Sequence, residues 1–140
     1  MKIAFASDHA GFEMKEALRV YLEGRCEVLD LGTDSGESVD YPDFGTAMGE
    51  AMTAGDTDFG VLVCGSGVGI SIAANRFAAV RCALCTSAEV AGLARQHNDA
   101  NVLALGARIV DLDTAKACVD MFLATEFEGG RHARRVEKLS

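Results

Sequence analysis

Tryptophan is absent from these 140 residues, proline occurs once, and aromatic side chains make up only 6% of the chain. No repeat, linker or low-complexity segment interrupts it, so residues 1–140 read as one domain. No apolar run approaches the roughly 18 residues that a membrane span needs. The opening apolar run is cut by Asp8, too soon for the core of a secretory signal. Basic residues are scarce, 13 against 21 acids for a net charge of −8, which argues against nucleic acid or an acidic membrane as partner. Paired cysteine spacing is also missing. The five cysteines are odd in number and scattered, as expected of reduced thiols in a cytoplasmic protein. The one C-x-x-C, Cys82 and Cys85, falls inside a predicted strand, where residues three apart face opposite ways. His9, His97 and His132 are far apart and show no ligand spacing, so the sequence predicts no metal site.

What is present is a regular alternation of apolar runs and amphipathic stretches. Strands are predicted at 2–7, 27–31, 59–64, 79–85 and 101–105. The first helix starts near Phe12 and buries Met14, Ala17, Leu18, Tyr21 and Leu22, with Glu13, Lys15, Glu16 and Arg19 facing water. The lone proline, Pro42, suits the first turn of a second helix that buries Ala47, Met48, Ala51 and Met52. Thr86-Ser87-Ala88-Glu89 resembles a capping box opening a helix with Val90, Leu93, Ala94 and His97 on its buried stripe. Asp111 can cap a last long helix that buries Ala115, Cys118, Val119, Phe122 and Leu123. The fold class is α/β, a three-layer α/β/α sandwich around a mainly parallel five-stranded sheet. Strand order is left open.

The most informative stretch is Val61 to Asn75. A β-branched strand ends at Cys64, then Gly65, Ser66, Gly67, Val68 and Gly69 lead into a helix-compatible run beginning at Ile70. Backbone N–H groups converge at such a strand–loop–helix junction and favour an anion. A thiol beside a helix N-terminus gives up its proton more readily, so Cys64 is a candidate reactive thiol. A dinucleotide loop fits poorly, because Ile70 stands where a third glycine belongs and no acid lies between Phe77 and Ser87 to hold a ribose. The lysine of a nucleotide-triphosphate loop is missing too. A phosphate or sugar phosphate suits the loop better.

In a parallel sheet Asp8, His9, Cys64, Thr86 and Arg108 follow strand ends on one rim. Asp8 reads equally as a helix cap. His97 and Asn98 end a helix, which puts them on the opposite rim unless a neighbouring chain brings them round. His97 also reads as a core-facing histidine favoured by the helix dipole. The tail from 131 to 140 holds four basic residues, Arg131, Arg134, Arg135 and Lys138, against one acid, so it carries +3 and the remainder −11. It either binds phosphate or pairs with its own acidic surface.

Together, Asp8-His9-Ala10-Gly11-Phe12, Asp40-Tyr41-Pro42, the Cys64–Asn75 stretch, Arg95-Gln96-His97-Asn98 and Gly129-Gly130-Arg131-His132 resemble type B ribose-5-phosphate isomerase. That family also holds galactose-6-phosphate and allose-6-phosphate isomerases. The resemblance implies a Rossmann-like subunit, a homodimer or tetramer of dimers, a phosphorylated sugar as substrate, and neither metal nor cofactor. It implies Cys64 as the base that moves a proton between carbons 1 and 2, and His97 as the acid that opens the sugar ring. Asp8, His9, Gly65, Ser66, Gly67, Val68, Gly69 and Asn98 correspond to substrate contacts. Arg108, Arg131 and Arg135 correspond to phosphate ligands, partly across the dimer. One branch of the family carries a glutamate where this chain has Ile70, so the chain resembles the cysteine branch. A six-carbon sugar-phosphate isomerase and a non-catalytic sugar-phosphate-binding subunit are the alternatives.

Overall fold

The computed structural model describes all residues, Met1–Ser140. The alternation resolves into β1 (Lys2–Ser7), α1 (Phe12–Tyr21), β2 (Glu27–Asp30), α2 (Tyr41–Ala54), β3 (Phe59–Cys64), α3 (Val68–Ala74), β4 (Cys82–Leu84), α4 (Ala88–Asn98), β5 (Val102–Gly106), α5 (Leu112–Ala124) and α6 (Arg131–Glu137). The strands run in the order β2-β1-β3-β5-β4, and every pairing is parallel. The three central strands are covered on both faces, which is why they read as nearly unbroken apolar runs.

Pleating divides each strand between two cores. Ile3, Phe5, Val61, Val63, Leu103 and Leu105 meet Leu18 of α1, Ala91 and Ala94 of α4, and Val119 and Phe122 of α5. Ala4, Ala6, Leu62, Cys64, Val102 and Ala104 meet Met48 of α2 and Ile70 and Ala74 of α3. The same parity sends Cys85 into the first core and Cys82 against the second, so the C-x-x-C pair is divided by the sheet.

Several expectations need correction. Lys15 is not a surface residue. Its side chain is wholly buried, with Nζ 2.8 Å from Asp30 of β2 and 3.4 Å from Glu16, because a long stem can cover the sheet edge while its ammonium finds a carboxylate. β4 has three residues, not seven. Asn101 replaces the ladder ahead of it, accepting from Arg81 N–H at 2.8 Å and donating to the Ala79 carbonyl at 2.8 Å. Asn75 caps the outer side, bonding both backbone groups of Cys82 at 2.8 and 2.9 Å. Side-chain bonds to Cys82 shield that part of the edge from pairing with another strand. Finally, the cap of α4 is Ser87, whose hydroxyl accepts Val90 N–H at 3.3 Å. The helix buries Ala91, Gly92, Ala94 and Arg95, leaving Val90 and Leu93 each 40% exposed. Close packing on α5 selects the small residues: a Cβ at Gly92 would sit 3.2 Å from Met121 Cγ. α3 also begins two residues early, at Val68.

Candidate active site

The chain leaves β1 for β2 on one side and returns to β3 on the other. This leaves a crevice at the carboxyl ends of β1 and β3, where parallel sheets bind ligands. Cys64 ends β3, and its parity turns the sulfur toward α2 and α3. Gly67 holds a left-handed φ of 79°, and its N–H donates to Cys64 Sγ at 3.2 Å. A side chain there would strike the backbone of Leu105 and Gly106, at 2.9 and 3.0 Å from a Cβ. Positive φ and this close approach both demand glycine. Beyond the strand ends, Ala107 N–H donates to the Cys64 carbonyl and Arg108 N–H to the Gly65 carbonyl, each at 2.9 Å. That zipper lays the Arg108 guanidinium over Gly65, with Nη1 3.0 Å from where a Cβ would stand.

Asp8 accepts Gly11 N–H through Oδ1 at 3.0 Å and is nearly buried. It therefore stiffens the entry to α1 and also lines the crevice with its carboxylate. Ser66 Oγ accepts Val68 N–H at 3.2 Å. The Tyr41 ring lies over Gly69, 2.5 Å from a Cβ built there. Asp8, Cys64, Gly65, Ser66, Val68, Gly69 and Arg108, joined by Tyr41 and Ile72, line an open pocket of about 470 Å³. A carboxylate, a sulfur, a guanidinium and the loop residues Gly65, Ser66, Val68 and Gly69 converge there. Burial holds the other four thiols above their ordinary range, Cys85 at about 12.

A second cluster lies at the far edge of the sheet. α4 ends at Asp99 in a left-handed cap with φ 46°. Arg95 fixes this end, bonding Asp99 Oδ1 at 2.9 Å and the carbonyls of Ala100 at 2.6 Å and Thr125 at 3.2 Å, beneath the rings of Phe59 and Phe122. His97, two residues after Arg95, stacks on His132 of α6 with centroids 4.5 Å apart and planes 15° from parallel. His97, Asn98, His132 and Arg135 line a pocket of about 270 Å³. Burial, and then the charges of His97 and Arg131, hold the His132 imidazole below its ordinary pKa.

The Ribose/Galactose Isomerase family matches residues 3–139. This chain belongs to that family. Among individual members, ribose-5-phosphate isomerase B of Escherichia coli is 49% identical over 140 residues, spanning 99% of this chain and 94% of that protein. The solved ribose-5-phosphate isomerase B of Clostridium thermocellum superposes with a TM-score of 0.98 at 51% identity, covering 99% of this chain and 95% of that one. The ribose-5-phosphate isomerase B of Mycoplasma genitalium, solved with bound ribulose-5-phosphate, has a TM-score of 0.92 at 42% identity and covers 99% and 93%.

Within this isomerase-family chain the expected site residues divide into two groups. Asp8, Cys64, Gly65, Ser66, Val68, Gly69 and Arg108 meet in one pocket, with Gly67 outside its lining but bonded to the Cys64 sulfur, while His97, Asn98 and Arg135 meet in the other. Arg131 is exposed at the start of α6, close enough to act on His132. His9 joins neither pocket, its Nδ1 accepting Val39 N–H at 3.1 Å. The groups are separated by the length of β5, five residues or roughly 16 Å at about 3.3 Å each. Sequence reasoning assigned no site role to Tyr41 or His132. Both stand inside the quoted motifs, and an aromatic hydroxyl beside the only proline was the available signal for Tyr41.

Proposed function

We propose that this protein interconverts ribose 5-phosphate and ribulose 5-phosphate without a metal. The observation that carries the reading is Cys64 in one pocket with Asp8, Arg108 and the glycine loop, its sulfur accepting Gly67 N–H at 3.2 Å. Aldose–ketose isomerisation needs one base near two adjacent carbons and donors for the oxyanion that develops between them. Cys64 removes the proton from carbon 2, the enediolate forms against the loop N–H groups, and the same sulfur returns the proton to carbon 1. Arg108 and the tail arginines hold the phosphate, while Asp8, Tyr41 and Ser66 orient hydroxyls. The cyclic sugar must open first. His97 supplies that acid, and Asn98 beside it holds the ring.

A proton donor must come within hydrogen-bond reach, and roughly 16 Å of strand lies between the two pockets. The site is therefore shared: the Cys64 pocket of one chain is completed by His97, Asn98, Arg131 and Arg135 of a second copy in a homodimer. Exposed apolar side chains flank both halves, Val68 and Ile72 at 46% and 59% beside Cys64 and Leu139 at 62% beside His97. Such surfaces mark association sites. The family's description includes galactose as well as ribose, so a six-carbon sugar phosphate is the second reading.

A coupled assay with five- and six-carbon sugar phosphates in EDTA tests both. Ribose 5-phosphate turnover should survive the chelator. Cys64→Ala should lower it by about 10²–10⁴ with the circular dichroism spectrum unchanged. Retention of more than about a tenth of the rate would place the base elsewhere.

A further inference from the structure

The fold assembles a donor set that sequence spacing hides. His97 ends α4 and His132 lies in α6, 35 positions apart, with Glu128 four residues before His132. One donor atom from each of the three lies within 4.8 Å of the other two. Glu128 N–H donates to the Gln96 carbonyl at 3.1 Å, and His132 N–H to the Gly129 carbonyl at 3.0 Å. The first bond fastens the segment to the end of α4, and the second closes the turn into α6. His132 is 8% exposed, and its Nε2 is buried without a hydrogen-bond partner. Glu128 Oε2 stands 4.0 Å from that nitrogen, too far to bond it. A buried imidazole nitrogen left unpaired beside a carboxylate and a second imidazole is costly and calls for a partner.

We propose that His97, Glu128 and His132 bind a borderline transition-metal ion such as Zn²⁺, and that its occupancy withdraws His97 from catalysis. Two imidazoles and a carboxylate form a known zinc donor set with a fourth position free for water, and they select against magnesium and calcium. Tetrahedral bonds of about 2.0–2.2 Å put donor atoms roughly 3.4 Å apart, so the cluster must contract and the stacked rings must fan open. The half-exposed Glu128 side chain is free to make most of that movement. Arg131 and Arg135 oppose a cation here, so the site is a reversible inhibitory one, not a structural cage. Metal and sugar phosphate compete for His97, a consequence that rests on the proposed ring-opening role.

Calorimetric titration of the EDTA-treated full-length protein with zinc alone should show one site per chain. Glu128→Gln and His132→Asn should each weaken it at least about tenfold, the range seen even for groups that only support a ligand. Cys64→Ala should leave it intact. Cobalt bound in its place should show no thiolate charge-transfer band. Zinc should inhibit ribose 5-phosphate turnover, and Glu128→Gln, active in metal-free buffer, should need at least about tenfold more zinc for the same inhibition. Wild-type zinc affinity in both variants, or loss of binding in Cys64→Ala, overturns the site whether or not the protein is an isomerase. Zinc bound at the trio without inhibition, while His97→Asn is inactive, overturns the inhibitory role and leaves the isomerase reading standing. Absence of all isomerase activity refutes that reading, while the titration still decides the metal site.

Discussion

Complementation between two dead variants tests the shared site most directly. Cys64→Ala removes the proposed base, and this variant alone should retain about 1% of activity or less. Arg131→Ala combined with Arg135→Ala removes the two charge-assisted phosphate bonds proposed for the tail, each worth about 1.5–3 kcal/mol. At 1.36 kcal/mol per factor of ten, that lowers kcat/KM by about 10²–10⁴. In an equal mixture with free exchange, half the dimers are hybrids. If the Cys64 pocket of one chain pairs with the tail of the other, each hybrid carries one doubly damaged site and one intact site. One site in four is then whole, so activity should return to about a quarter of wild type, well above either parent. Hybrid formation is followed by native mass spectrometry of tags of different mass, and turnover by a coupled assay of ribulose 5-phosphate. If hybrids reach half the population while activity stays at the parental level, each chain builds its own site and the roughly 16 Å argument fails.

His97→Asn should cripple turnover of cyclic ribose 5-phosphate but largely spare a tetrose 4-phosphate, which cannot close a furanose ring; equal losses in kcat/KM would assign His97 to another step. Gly11→Ala drives a Cβ to 2.6 Å from the Val63 carbonyl carbon and should lower stability by about 1–3 kcal/mol in urea unfolding, whereas Gly36→Ala, with open space around it, should stay within about 0.5 kcal/mol. Because the folded protein holds the His132 pKa below 6.5, the unfolded chain takes up the proton first. The contribution of His132 is fully present above pH 6.5 and declines as pH falls toward the folded value. Wild type should therefore lose stability relative to His132→Asn across that window, and an NMR titration should place the His132 ring below 6.5.

Legibility in the sequence followed the range of the interaction involved. The strands β1, β3 and β5, the proline-led start of α2, the Asp111 cap and the division of Cys82 from Cys85 all rest on residues within a few positions of one another. Pleating and helix periodicity fix such features locally. The junction at Cys64 was legible for the same reason, since strand, glycines and helix are contiguous, and the resemblance extended that reading to residues whose spacing alone is mute. What the tertiary structure decided depends on pairs distant in sequence. Lys15 is buried because Asp30 lies across the sheet edge, 15 residues on. β4 is short because the amides of Asn101 and Asn75 replace its ladder. α4 turns Val90 and Leu93 outward because α5 admits only small residues at that contact. Tyr41 reaches the Cys64 pocket because Gly69 leaves room beneath its ring. His97 and His132 stack, with Glu128 beside them, only because α6 folds back on the end of α4. Composition and periodicity encode which face of an element is apolar, but which side chains then meet is set by packing between elements that the chain brings together only once it has folded.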